Sequence, residues 1–179
     1  MRPRILQIFL MINMKPINHN KKAGFSLIES LIYIAIIAVM AVLVVNVLLM
    51  TTKSYNSLKI SRDINNSALT TLERITREIK TASDIDIAQS TFNVHPGKLT
   101  VSTSSTITEF YLGNNILKIR ENSVDMGSLI QQGSSVDNLV FRMLDNGTTK
   151  GIRIEMTISN TRGNLTKTKK FYSFAVLRN

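Results

Sequence analysis

Apolar and polar positions divide the chain into three stretches. Residues 30–52 carry no charged side chain, running from Ser30-Leu31-Ile32-Tyr33 to Met50-Thr51-Thr52. About 20 apolar residues span the hydrocarbon core of a bilayer as a helix, so this run is long enough to cross one. It is too long for the apolar region of an ordinary secretory signal, and no small-x-small cleavage site follows it. Asn46 is the one amide deep in the run. A contact across packed helices and a tolerated polar residue near the outer face are equally open readings of it.

After the run the period changes. Leu58–Ala82 contains neither Pro nor Gly, and apolar residues recur at Ile64, Ala68, Leu72, Ile75, Ile79 and Ala82. Steps of three and four place them on one helical face. Arg62, Asp63, Glu73, Arg74, Arg77, Glu78 and Lys80 occupy much of the remainder, with Glu73 and Arg77 forming a favourable i,i+4 pair. The pattern predicts one helix from about Ser26 to about Ala82, on the order of 85 Å long at the usual rise per residue. Its second half must project into water with one face covered.

The third stretch reads as strands. Lys98–Thr103, Thr106–Leu112 and Ile116–Arg120 are short β-branched or aromatic runs, separated by Ser104-Ser105 and Gly113-Asn114. Leu139–Leu144 is followed by an Asn146-Gly147 turn signal. In Ile152–Ser159, Ile152, Ile154, Met156 and Ile158 alternate with Arg153, Glu155, Thr157 and Ser159. A turn containing Gly163 leads to a last strand, Thr168–Leu177. These runs predict an antiparallel sheet with one dry face, covered by the apolar face of Ile64–Ala82. The fold class is α+β. Asn122–Ser135 reads as a long loop with no assigned place.

Composition narrows the chemistry. The 179 residues include no Cys, which excludes disulfides, thiolate metal sites and cysteine nucleophiles. The formal net charge is +10, but residues 1–24 hold five of the 22 Lys and Arg and none of the 12 acids. Residues 25–179 therefore carry +5, the charge of a mildly basic solvated domain. His19 and His95 stand alone, so no metal site and no cofactor are expected. No nucleophile elbow or Gly-rich phosphate loop is present, and an enzyme is not the expected class. Lys167, Lys169 and Lys170 beside Phe171 and Tyr172 form the densest basic patch. It is a weak candidate for contact with DNA backbone, because in an alternating strand one of the two aromatics belongs to the core.

The junction before the apolar run reads Lys21-Lys22-Ala23-Gly24-Phe25-Ser26-Leu27-Ile28-Glu29. Lys21 and Lys22 favour a cytoplasmic N-terminus, although Lys53, Lys59 and Arg62 on the other side keep the bias modest. Gly24 lets extended backbone enter a protease cleft. Glu29 is the anomaly: a carboxylate inside an apolar helix costs up to about 2.5–3.5 kcal/mol, less near the interface, and is a functional candidate for that reason.

This junction resembles the processing site of type IV prepilins. The resemblance implies cleavage by a membrane prepilin peptidase after Gly24 and N-methylation of the new N-terminal Phe25. It also implies that Glu29 pairs with the Phe25 ammonium of a neighbouring subunit during assembly. A Glu29 that only marks the interface, or binds its own N-terminus, is the competing reading. The implied fold is the pilin fold, a long N-terminal transmembrane and stalk helix packed on an antiparallel β-sheet. The implied partners are prepilin peptidase, other pilin subunits, an inner-membrane assembly platform and the membrane. The stalk Asp63–Ala82 and the paired terminal strands are similar to the minor pseudopilin J and minor pilin W groups.

The expected organisation is a leader, 1–24, the membrane half of the helix, 25–52, its amphipathic stalk half, 53–84, and a globular β domain, 85–179. The leader is long, with an apolar Ile5–Ile12, and Met11 and Met14 are alternative starts to Met1. The expected location is the cytoplasmic membrane, single-pass, with the C-terminal domain outside the cytoplasm, and in an assembled filament at the cell surface. The expected function is a minor pilin or pseudopilin of a type IV pilus, a type II secretion system or a competence system for DNA uptake. The alternative is a bitopic membrane protein whose outward-facing binding domain never enters a filament.

Overall fold

The computed structural model describes residues 26–147 and 149–178. Two compact units divide the chain, residues 1–46 and 47–179. One helix, α1, Leu27–Thr81, supplies the described part of the first unit and opens the second. It starts where the Ser30 amide donates to the Ser26 carbonyl at 3.1 Å, with Glu29 in its first turn. It stops where the Ala82 amide donates to Glu78 at 2.9 Å, and Lys80 in the last turn suits the negative end of the helix dipole. These ends agree with the periodicity to within one residue.

In the first unit the apolar side chains of α1 are exposed all round, from Leu27 and Ile28 to Val44 and Val45. Asn46 is also exposed. The helix is long and apolar enough to cross a membrane. Where the run ends, the hydroxyls of Thr51 and Thr52 donate to the carbonyls of Val47 and Leu48 at 2.8 and 2.9 Å. Each hydroxyl is thereby satisfied within its own helix, as a low-dielectric surrounding requires.

The second unit packs α1 onto eight strands. A five-stranded antiparallel sheet has the order β1 (Asp84–Ile85), β2 (Leu99–Ser102), β3 (Ile107–Gly113), β4 (Ile116–Glu121), β5 (Val124–Ser128). A three-stranded antiparallel sheet is formed by β6 (Ser134–Asp145), β7 (Lys150–Arg162) and β8 (Leu165–Val176). The α+β class holds, but the single sheet expected from alternation is two sheets. β1 and β5 were not foreseen, and β6 begins five residues before the expected Leu139. The unplaced segment 122–135 is thus a tight turn, a strand and a short connection. Asn122 and Ser123, at φ 47° and 70°, turn β4 into β5 in the left-handed conformations of a two-residue hairpin.

The core lies between α1 and both sheets. Ile60, Ile64, Ala68, Ile75 and Ile79 of α1 are buried against Leu99, Phe110, Leu117, Leu139, Phe141, Ile152, Ile154 and Ile158. Leu72 is only partly buried, and two hydroxyl residues, Ser67 and Thr71, share the dry face. Thr71 Oγ1 donates to the Leu129 carbonyl at 3.0 Å, and Ser67 Oγ accepts from the Gln131 amide at 3.2 Å. These two bonds satisfy the backbone of the 129–131 connection beneath the helix. Along β7 the expected alternation is present: Ile152, Ile154, Met156 and Ile158 are buried, and Arg153, Glu155, Thr157 and Ser159 are not.

The outer edge of β6 is occupied by the turn around Pro96. The amides of Asn93 and Gly97 donate to the carbonyls of Phe141 and Leu139, both at 2.9 Å, and the Leu139 amide donates to His95 Nδ1 at 3.1 Å. Gly97 permits this approach. A Cβ there would stand 3.0 Å from the Leu139 oxygen and 3.1 Å from the Phe141 ring.

Candidate functional site

The head of α1 is the candidate assembly site. Gly24 and Phe25, the expected cleavage and methylation positions, lie outside the described residues. Glu29 is described, exposed, in the first turn of α1, with Leu27, Ile28, Leu31 and Ile32 exposed around it. Its carboxylate sits where the helix dipole favours an anion. One turn on, the Tyr33 hydroxyl donates to Glu29 Oε1 at 3.2 Å. Tyr33 was not singled out from the sequence. Its position four residues after Glu29, on the same helical face, was the available signal. The arrangement offers no catalytic chemistry. It presents an acid, partly satisfied by a phenol, on a surface that only lipid or other apolar helices can cover.

The basic patch of β8 resolves into two roles. Lys167 Nζ donates to the Ser57 carbonyl at 3.1 Å, to Ser57 Oγ at 2.5 Å and to Ser61 Oγ at 2.9 Å. Lys169 Nζ donates to Asn65 Oδ1 at 3.2 Å. Both lysines therefore turn toward α1, while Lys170 lies on the other side of the strand and is exposed. Phe171 packs on the core and Tyr172 is exposed, with the Arg153 guanidinium 5.7 Å from its ring centre.

The outer face of the five-stranded sheet is a charge lattice. Glu109 lies between Lys98 and Arg120, each 3.0 Å away. The hydrogen bond from Lys98, opposed by partial burial and aided by Arg120, holds the Glu109 carboxyl below the usual glutamate range. Asp125 accepts from the Gly127 amide and from Lys118, which together hold it below the usual aspartate range. Arg120 also stacks 4.6 Å from the Tyr111 ring centre. Glu155 is lowered by Arg142, and Asp84 by Lys150. Each acid has its cation at hand, so these groups serve sheet stability and solubility. Among the described residues no three His, Cys, Asp or Glu side chains gather as a metal site would require.

Residues 19–45 match the family described as the prokaryotic N-terminal methylation motif. The match spans Gly24, Phe25 and Glu29 and continues into the exposed apolar part of α1. It supports a type IV pilin-like protein anchored by its N-terminal helix. No curated protein matches the chain, and no solved structure does.

Proposed function

We propose that the chain is a minor pilin or pseudopilin, cleaved after Gly24 by prepilin peptidase, methylated on Phe25 and assembled through α1 into a filament. The methylation-motif match over residues 19–45 carries the reading. An apolar helix whose described side chains are exposed, headed by an acid, supports it. In this proposal residues 1–24 are the leader, 25–52 the membrane half of the helix and 53–84 its stalk. Glu29 pairs with the Phe25 ammonium of a neighbouring subunit. The pairing offsets the cost of holding the carboxylate in lipid. The long stalk and the paired terminal strands favour the minor pseudopilin J and minor pilin W groups over a major subunit. The assembly platform is a further partner in the proposal. DNA is left out of it, since Lys167 and Lys169 are engaged on α1.

Mass spectrometry of the native protein tests the first step. A chain beginning at methylated Phe25 is the expected result, and a chain retaining residues 1–24 overturns the reading. Glu29→Ala tests the second: cleavage and membrane insertion persist while incorporation into filaments falls. Undiminished incorporation removes the pairing role. A processed chain that never enters filaments marks the bitopic binding protein instead.

A further inference from the structure

The β7–β8 turn lies beside the helix residues at which charge first returns. The apolar run ends at Thr52 and Lys53 follows. Contacts between β8 and α1 set the register. Lys167 meets Ser57 and Ser61, Lys169 meets Asn65, and the Ser173 hydroxyl lies 3.4 Å from that of Thr76. Strand and helix numbers rise together, so the turn before Leu165 is at the end of the sheet nearest the apolar run. Arg162 and Leu165 pair across that turn, with Gly163 at φ 59°.

A groove of about 500 Å³ separates the turn from α1. Its walls include Lys53, Ser54 and Asn56 from the helix and Arg162, Gly163 and Asn164 from the turn, and no carboxylate is among the described residues that line it. Two cations, the hydroxyls of Ser54 and Ser57, two amides and Leu165 surround it, and Lys167 stands behind Ser57. Such a set has donors in excess. The depth also fits. The headgroup layer is roughly 5–8 Å thick on each side of the hydrocarbon. The four steps from Lys53 to Ser57 rise about 6 Å.

We propose that this groove binds the phosphate of an anionic phospholipid headgroup, seating the domain on the leaflet from which α1 emerges. The inference rests on the membrane anchoring in the proposed function. Lys53 and Arg162 supply the charge. Ser54, Asn56 and Asn164 supply hydrogen bonds to the phosphate and glycerol oxygens. A neighbouring subunit's acidic side chain is the competing occupant.

The chain has no Cys, so a single introduced thiol labels one place. Full-length protein carrying Asn164→Cys with a fluorophore is reconstituted in phosphatidylcholine vesicles, with and without phosphatidylglycerol. Quenching by a headgroup-nitroxide lipid is then read, with Asn146→Cys, at the far end of β7, as the comparison. Strong quenching at 164, weak at 146 and deepened by phosphatidylglycerol is the expected result. Lys53→Gln and Arg162→Gln should each lower the apparent affinity for phosphatidylglycerol roughly fivefold. Equal quenching at the two positions, or indifference to both substitutions, overturns the proposal. Inorganic phosphate that abolishes the phosphatidylglycerol effect at millimolar concentration reassigns the groove to free anions. An effect that arises only when subunits are crowded reassigns it to a neighbouring chain. Failure of the protein to float with the vesicles removes the anchoring itself, and the groove proposal with it.

Discussion

The ammonium of Lys167 on β8 reaches back to Ser57 on α1, bonding its carbonyl at 3.1 Å and its hydroxyl at 2.5 Å. The described partners of this cation are neutral oxygens, not acids. It is solvated by three helix oxygens, counting Ser61 Oγ. The Ser57 carbonyl is already an acceptor within the helix, so the lysine adds a bond to its second lone pair without breaking the ladder. Helix α1 and strand β8 are thereby fastened near the start of the second unit.

Lys167→Met keeps the stem and removes the head. Hydrogen bonds to a charged group contribute about 1.5–3 kcal/mol, and part of that is offset here by exposure. We expect a loss of about 1–2 kcal/mol, read as a lower urea midpoint for full-length protein in detergent. Lys169→Met, at an exposed bond to Asn65, should cost less than half as much.

Two glycines should answer differently to Ala. At Gly97 the new Cβ would meet the backbone oxygen of Leu139 at 3.0 Å and the buried Phe141 ring at 3.1 Å. Neither can retreat, and Gly97→Ala should cost about 1–3 kcal/mol as overpacking. At Gly151 the nearest atoms, at 2.7 and 2.9 Å, belong to the rim of the Phe174 ring. That ring is 51% exposed and can swing outward. Gly151→Ala should change stability by no more than about 0.5–1 kcal/mol. Thermal unfolding of the two variants side by side checks the contrast.

Thr71→Val is close to isosteric and leaves the Leu129 carbonyl without its hydroxyl donor. The expected cost is about 1–3 kcal/mol, the penalty for an unsatisfied buried acceptor. Ser67→Ala should have a more local effect: faster hydrogen exchange at the Gln131 amide, with exchange on β7 unaltered. If the Gln131 amide keeps wild-type exchange, the Ser67 hydroxyl does not hold the connection.

Acid should loosen the five-stranded sheet through Glu109. Its carboxyl is held low by Lys98 and then Arg120, so the unfolded chain binds its proton at higher pH than the folded one. The contribution is complete above the ordinary glutamate value of about 4.3 and is lost as pH falls through the depressed folded value. Stability should therefore decline with falling pH across that window. Glu109→Gln should be less stable at neutral pH and show a shallower decline. Parallel pH profiles for the two proteins would remove Glu109 from the account.

Much of this molecule is legible from residue order, for identifiable reasons. The charge-free run and the three-and-four spacing mark α1 because a helix repeats its environment every turn. Glu29 stands out because it breaks that run. Ser67 and Thr71 escape the apolar pattern because a hydroxyl reads as polar until its acceptor is seen. β5 hides because Val124 and Met126 are exposed on an edge strand, so no buried alternation marks it. β6 starts early because Ser134 and Ser135 pair with Asn160 and Ser159, a polar extension with little hydrophobic signature. The division into two sheets is not encoded in alternation. It lies in which strands pair, β1 to β5 in one ladder and β6 to β8 in the other, with the Val136 amide bonding the Asn115 carbonyl at 2.8 Å as a link between them.

The turn at Pro96 has one more effect. By occupying the outer carbonyls of Leu139 and Phe141 and the Leu139 amide, it denies the middle of the β6 edge to a foreign strand. Strand addition over that stretch, the step by which amyloid-like growth begins, is thus closed off by the fold itself.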